Sequence, residues 1–325
     1  MKYLIRQTSL YLLAAWASLT LNFILPRAMP GDPVTALVAR MRGRIRPDQF
    51  EAIKAAYGFT NDTILKQYFQ YLSHALRGDF GISISAYPAK VSSVISTGLL
   101  WTVLLGFVTL VISFVLGTAL GVIIAWRRSG FLDSTLPGLS GFVGSFPYFW
   151  LAMVALYYFG FELGWFPMSH AYSDYISPGF TWEYIGSVIF HMVLPAGSII
   201  LVSVGGWMMG MRSTMIAVLN EDYIIMAEAK GLSQRTVMFK YAMRNAILPN
   251  ITQFGMSIGF VVAGQLLTEM VFSYPGLGFY LVRSVTTQDY PLMQALFLMI
   301  TLAVLAANFL VDILYVQLDP RVRVS

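Results

Sequence analysis

Residues able to make or break bonds are few in this chain and badly spaced for it. It carries three histidines (His74, His170 and His191), sixteen Asp and Glu residues, and no cysteine. The histidines stand far apart and form no ligand spacing. The missing cysteines exclude disulfides, thiol nucleophiles and thiolate metal sites. No pair of His, Asp or Glu at helical spacing falls inside an apolar run, so an enzyme embedded in lipid would lack an acid–base pair. The Gly-x-x-x-x-Gly-Lys-Ser/Thr loop that cradles nucleotide phosphates is also absent. Any ATP hydrolysis this chain depends on must be carried out by another chain.

Polar side chains gather in two other places. In one apolar run, Gln253, Ser257, Gly264 and Thr268 fall near one face of a helix, and Gln265 and Glu269 lie one turn apart beside it. Such groups in a membrane face protein or water. Hydrogen bonding between helices and a solute-lined path both fit Gln253, Ser257, Gln265, Thr268 and Glu269. Asp312 with Asn308 suits an anchor between two helices. Carboxylates in mid-membrane are otherwise nearly missing, which argues against an ion-coupled secondary transporter.

The second place is the stretch from Asn220 to Pro249. Asn220 reads as an N-cap, followed by Glu221 and Asp222 in the first turn, where the helix dipole favours anions. Lys230 closes the helix and Gly231 supplies a left-handed C-terminal residue. Ser233 then caps a second helix running through Val237, Tyr241, Ala242 and Ile247. The product is a short, capped helix set at an angle to its successor, which fits equally an ordinary surface hairpin anchored by basic residues and a knob rigid enough to transmit a push.

Lipid must hold these elements. The chain is 57% hydrophobic and 11% charged, with a mean hydropathy of +0.67, against about 25% charged in soluble domains. Six charge-free windows are long enough to span a bilayer: Gln7–Pro26, Val91–Trp126, Ser134–Phe161, Tyr184–Met211, Asn245–Thr268 and Tyr290–Val311. The second is too long for one span, so Val91–Gly98 reads as an interfacial lead-in to a span over about Leu99–Ile124. Leu25-Pro26-Arg27 offers no small-residue cleavage site, so the first run reads as a retained helix rather than a signal peptide.

Six spans put both termini on one side. That side holds eleven basic residues (Lys2, Arg6, Arg127, Arg128, Arg212, Lys230, Arg235, Lys240, Arg244, Arg321 and Arg323), whereas the opposite short loops hold only Arg283. Both ends are therefore expected in the cytoplasm. The net charge of +5 follows from this topology and from anionic headgroups, with no nucleic acid implied. The long external loop should carry two short surface helices, one over Pro47–Ala56 and an amphipathic one over Ile64–Leu76, which could also dock an external protein. Gly117-x-x-x-Gly121, Gly206-x-x-x-Gly210 and Gly255-x-x-x-Gly259 have the spacing of close helix contacts.

Ala227-x-Ala229-Lys230-Gly231-Leu232-Ser233, followed by Arg244-Asn245-Ala246 and Leu248-Pro249, resembles the cytoplasmic loop of ABC importer permeases, in particular the dipeptide/oligopeptide/nickel branch. Ile225 stands where the general loop pattern has a glutamate. Further blocks of that branch are Pro30-Gly31-Asp32-Pro33, Gly78-Asp79-Phe80-Gly81, Pro147-x-Phe149-Trp150 and Gly164-Trp165-Phe166-Pro167. Glu269 with Phe272-x-x-Pro275-Gly276-Leu277-Gly278, Asp289-Tyr290-Pro291, and Asn308-x-x-x-Asp312-x-x-Tyr315-x-x-x-Asp319-Pro320-Arg321 complete the set. The resemblance implies an all-α membrane protein of six transmembrane helices with both ends inside, in the cytoplasmic membrane of a bacterium or archaeon. It implies a first helix plus external loop (1–90) and a five-helix permease core (91–325), with a coupling-helix hairpin between helices 4 and 5. Ala227, Glu228, Ala229, Lys230, Gly231 and Leu232 would meet an ABC ATPase. Implied partners are a second homologous permease, two ABC ATPase subunits that bind the ATP and Mg, and an extracytoplasmic solute-binding protein. This chain would hold no cofactor. The expected cargo is short peptides. The opening Leu25-Pro26-Arg27-x-Met29-Pro30-Gly31-Asp32-Pro33 also resembles that of sugar-transporting members, so short β-linked oligosaccharides are the alternative.

Overall fold

The computed structural model describes residues 2–28, 63–128, 130–261 and 265–318, and among them the chain is helical. Ile82 and Lys90 form an isolated antiparallel bridge. The helix expected over Pro47–Ala56 lies outside the described residues, as do Gly264 and the side chain of Asp312.

The helices are α1 (Lys2–Ala28), α2 (Ile64–Leu76), α3 (Val91–Trp126), α4 (Phe131–Gly144) and α5 (Tyr148–Ala155), which runs on into a π-helical turn, Leu156–Glu162. Next come α6 (Trp182–Leu219), α7 (Asp222–Ala229) and α8 (Gln234–Thr236), the last continued by a π-helical stretch, Val237–Ala242, and α9 (Met243–Ala246). The remainder is α10 (Leu248–Phe260), α11 (Leu266–Val271), α12 (Leu277–Thr286) and α13 (Tyr290–Leu318).

Among the described residues three helices, α3, α6 and α13, are long and apolar enough to cross a membrane; counting α4 with α5 as one bent span makes four. The chain is thus a multi-pass membrane protein. Two of the six apolar windows take a different form. The window 134–161 bends by 90° between α4 and α5, because Pro147 occupies the N-cap of α5 and cannot continue the preceding helix. The window 245–268 is divided between α10, which ends at Phe260, and α11, which starts at Leu266. The first window, Gln7–Pro26, lies within the single helix α1. α3 is one continuous helix from Val91 onward.

The chain divides into two compact units. The first comprises Met1–Val103, Val262–Leu266 and Pro275–Ser325. Its core joins Val91, Val94 and Ile95 of α3 to Leu277 and Leu281 of α12 and to Leu292, Ala295 and Leu296 of α13. That burial explains why α3 begins so early. The Asn22 amide crosses from α1 to the Gln294 carbonyl at 2.6 Å, and the Gln294 amide returns to the Asn22 carbonyl at 3.3 Å. Thr102 Oγ1 accepts from Leu277 N at 2.8 Å, satisfying one orphan donor at the start of α12. Asp289 is fully buried. Its Oδ2 accepts from Ser83 Oγ, and from Ser85 N and Ser85 Oγ at 2.8 Å each, while Oδ1 caps α13 through Leu292 N at 3.2 Å.

The second unit comprises Leu104–Val261 and Leu267–Tyr274. Here α3 and α6 meet backbone to backbone. A Cβ on Gly117 would lie 2.5 Å from Trp207 Cβ and 2.7 Å from the Val204 carbonyl; one on Gly121 would lie 2.6 Å from the Met208 carbonyl. Gly206 and Gly255 make no such seam, since a Cβ on either meets nothing within 4 Å, whereas one on Gly210 would lie 3.2 Å from Asn250 Oδ1. Asp133 of α4 holds Arg212 of α6, with Nε and Nη2 each 2.7 Å from Oδ1. Buried Asn250 donates toward Thr118 Oγ1 at 3.5 Å and the Trp207 carbonyl at 3.4 Å, tying α10 to α3 and α6.

Candidate functional site: the hairpin between α6 and α10

The hairpin begins where α6 runs out. Asn220 is the C-cap of α6, its amide folded back onto the Ile216 carbonyl at 3.1 Å. It is therefore not the N-cap of the next helix. Glu221, in extended conformation, takes that position without a side-chain cap bond, and Asp222 sits in the first turn. α6 persists to Leu219, and this uses up Asn220 as a terminator.

The other end of α7 follows local rules. Lys230 is the C-cap and Gly231 has φ +72°, a left-handed value that favours glycine. Gly231 N donates to the Glu228 carbonyl at 2.8 Å and Leu232 N to the Ala227 carbonyl at 3.4 Å. Ser233 caps the return helix, its side chain accepting from Thr236 N at 3.4 Å. The Asn245 amide reaches the Tyr223 hydroxyl at 2.8 Å, clamping α7 to α9.

The knob is part of a core. Ile224 and Ala227 of α7 are buried with Val237, Ala242 and Ala246 of the return segment, Met211 and Met215 of α6, and Val122 and Ala125 of α3. Leu232 packs, half-buried, against the same cluster. Of the residues singled out in sequence, Ala227 thus faces inward, whereas Glu228, Ala229, Lys230 and Gly231 are exposed. Ile225 stood out in sequence only as a departure from the family's glutamate, and Met226 not at all; they are 58% and 60% exposed. With Ala229 they give α7 an apolar outer surface flanked by Glu228 and Lys230. The π-helical stretch also escaped the sequence reading.

The polar residues of the fifth apolar run do not share one continuous helix face, because α10 ends at Phe260 and α11 starts at Leu266. On α10, Gln253 is exposed and Ser257 is half-buried, its hydroxyl donating to the Gln253 carbonyl at 2.9 Å. Gln265 precedes α11, half-buried. On α11, Thr268 and Glu269 are fully buried. Tyr274 N donates to the Glu269 carbonyl at 2.8 Å. Burial first, and then the Glu269 carboxyl, raises the Tyr274 phenol well above its ordinary range, so it stays protonated. Among the described residues no group of three His, Asp or Glu could hold a metal ion.

The sequence model of the family described as "Binding-protein-dependent transport system inner membrane component" matches residues 117–324, which takes in this hairpin. The chain is 33% identical over 322 residues to the oligopeptide transport system permease protein AppB of Bacillus subtilis, covering 99% of both chains. It is 32% identical over 324 residues to the dipeptide transport system permease protein DppB of Lactococcus lactis subsp. cremoris, again 99% of both. To the oligopeptide transport system permease protein OppB of Haemophilus influenzae it is 32% identical over 305 residues, 94% of both. The chain belongs to the family of binding-protein-dependent transport system inner membrane components. Within that family its relatives include oligopeptide and dipeptide permeases.

Proposed function

We propose that this chain is the permease subunit of an ATP-driven importer of short peptides, forming half of the translocation pathway. The observation that carries the reading is the full-length similarity to chains named as peptide permeases. A capped knob with an apolar outer surface and a core-packed inner one is what a mechanical coupling to an ATPase requires. In this reading α1, α3, the α4–α5 pair, α6, the α10–α11 pair and α13 are six spans with both ends in the cytoplasm, and the hairpin stands on the cytoplasmic face. Residues 91–325 form the permease core and residues 1–90 its added helix and external loop. A second homologous permease completes the pathway, two ABC ATPase subunits bind ATP and Mg, and a solute-binding protein delivers cargo from outside. AppB, DppB and OppB are each named for peptide transport and none for an oligosaccharide, so the sugar cargo has no support. Gln253, Ser257, Gln265, Thr268 and Glu269 are proposed to line or brace the path, with Thr268 and Glu269 in the bracing role because both are buried.

The test is uptake of labelled di- to pentapeptides into proteoliposomes holding the whole transporter and its binding protein. Uptake should require ATP and the ATPase subunits. Peptide uptake that persists without ATPase would sink the reading, and so would ATP-driven uptake of cellobiose but not of peptides.

A further inference from the structure

The external helix α2 divides into three sectors that the proposed transport function leaves unexplained. At about 100° per residue, Ile64, Gln67, Tyr68, Tyr71 and Ala75 fall on one side. Apart from Ile64, which is itself 70% exposed at the start of the helix, this side meets α1: the Tyr68 hydroxyl pairs with Thr20 Oγ1 at 2.8 Å, the Tyr71 hydroxyl accepts from the Asn22 amide at 3.2 Å, and both rings pack on Phe23. Lys66, Gln70, Ser73 and His74 form a polar sector. Between the two, Leu65, Phe69, Leu72 and Leu76 form a stripe roughly 60° wide. Leu65, Phe69 and Leu76 are 71%, 65% and 85% exposed. An exterior segment in water has no reason to keep such a stripe bare.

Arg27 gives the depth of this helix. It ends the charge-free run of α1, its guanidinium 3.6 Å above the Phe23 ring and donating to Gln67 Oε1 at 3.1 Å. A charged head of this kind marks the polar boundary. Thr20, which Tyr68 touches, lies seven residues earlier, about 10 Å further along the helix axis. α2 therefore sits at the level of the last two turns of α1, where the outward side chains Leu21 and Ile24 are themselves exposed. Interfacial helices seat their apolar face about 5–10 Å into the headgroup–acyl boundary, and tyrosines concentrate there.

We propose that α2 is an interfacial helix whose Leu65–Phe69–Leu72–Leu76 stripe inserts into the lipid leaflet at the C-terminal end of α1, the outer leaflet in the proposed topology. The occupant of the stripe is lipid, not a protein. The proposal rests on α1 being a span, and the test separates the two claims.

The cysteine-free chain suits single nitroxide labels. They would be introduced at Leu65→Cys, Phe69→Cys and Leu76→Cys on the stripe, at Gln70→Cys on the polar sector, and at Leu13→Cys in mid-α1. The whole transporter in lipid nanodiscs is then probed by collision with oxygen, which favours lipid, and with a water-soluble nickel chelate. The stripe should be oxygen-rich and chelate-poor, shallower than Leu13, and Gln70 should show the reverse. Stripe labels as open to chelate as Gln70, with Leu13 still in lipid, would overturn the interfacial seat alone. Stripe labels sheltered from both reagents would show a protein occupant and also overturn it. A chelate-accessible Leu13 would remove the span itself and overturn both claims.

Discussion

At the residue scale, two neighbours on α7 should fail in different ways. Ala227 is buried and Ala229 is exposed. Ala227→Leu should overpack the core and lower stability by about 1–3 kcal/mol, read as a lower melting temperature in detergent. Ala229→Leu should leave that temperature unchanged and weaken retention of the ATPase. Equal melting shifts for the two would contradict the assignment of faces. Gly231 adds a conformational case, since its φ is +72° and no atom lies within 4 Å of a Cβ placed there. Gly231→Val should cost about 1–2 kcal/mol of knob geometry, up to about thirtyfold in ATPase affinity. Gly231→Asn should be milder, because Asn visits the left-handed region. A Gly231→Val subunit that co-purifies its ATPase and transports like the parent would refute the coupling role. Asp289→Ala should destabilise by about 3 kcal/mol, stranding the Ser83 and Ser85 hydroxyls beside buried Leu292 N; thermal unfolding of the purified protein measures it.

At the element scale, the three Gly-x-x-x-Gly pairs look alike in sequence and differ in space. Gly117→Ala or Gly121→Ala would press a methyl onto backbone atoms of α6 that cannot swing aside, costing about 1–3 kcal/mol. Gly206→Ala and Gly255→Ala should stay within about 0.5 kcal/mol. Comparable losses at all four positions, by thermal unfolding, would show that the seam is not special. Spacing was legible; the identity of the facing helix was not. Gly231 and Ser233 were readable because their roles are set by neighbours within a few residues. Asn220 was misread because the fate of a cap depends on where the previous helix stops, and α6 continues to Leu219 under tertiary packing. The exposure of Ile225 and Met226 was not legible because Ile224 and Ala227 flank them. On an eight-residue helix with apolar residues on several sides, periodicity cannot name the buried face. The division of α10 from α11 was hidden by a run whose hydropathy barely changes across Val261 and Val262.

At the scale of the whole molecule, the class was legible from charge-free windows and block order, while the form of the spans was not. A proline in an apolar run can tilt a helix or turn it by 90°, and only packing decides which. The proposed sidedness is testable by labelling intact cells with an impermeant thiol reagent. Ser173→Cys should react from outside and Ser233→Cys only after permeabilisation; the opposite pattern would invert the topology and detach the hairpin from any cytoplasmic ATPase. The two-sided character of α7 has one more consequence. Its inner residues, Ile224 and Ala227, are committed to this chain's own fold, whereas Ile225, Met226, Glu228, Ala229 and Lys230 are exposed. Transplanting those five outer side chains from another permease should therefore redirect which ATPase the subunit recruits while leaving its melting temperature and cargo unchanged. Recognition of the motor would then be a recodable address written on one face of a single short helix.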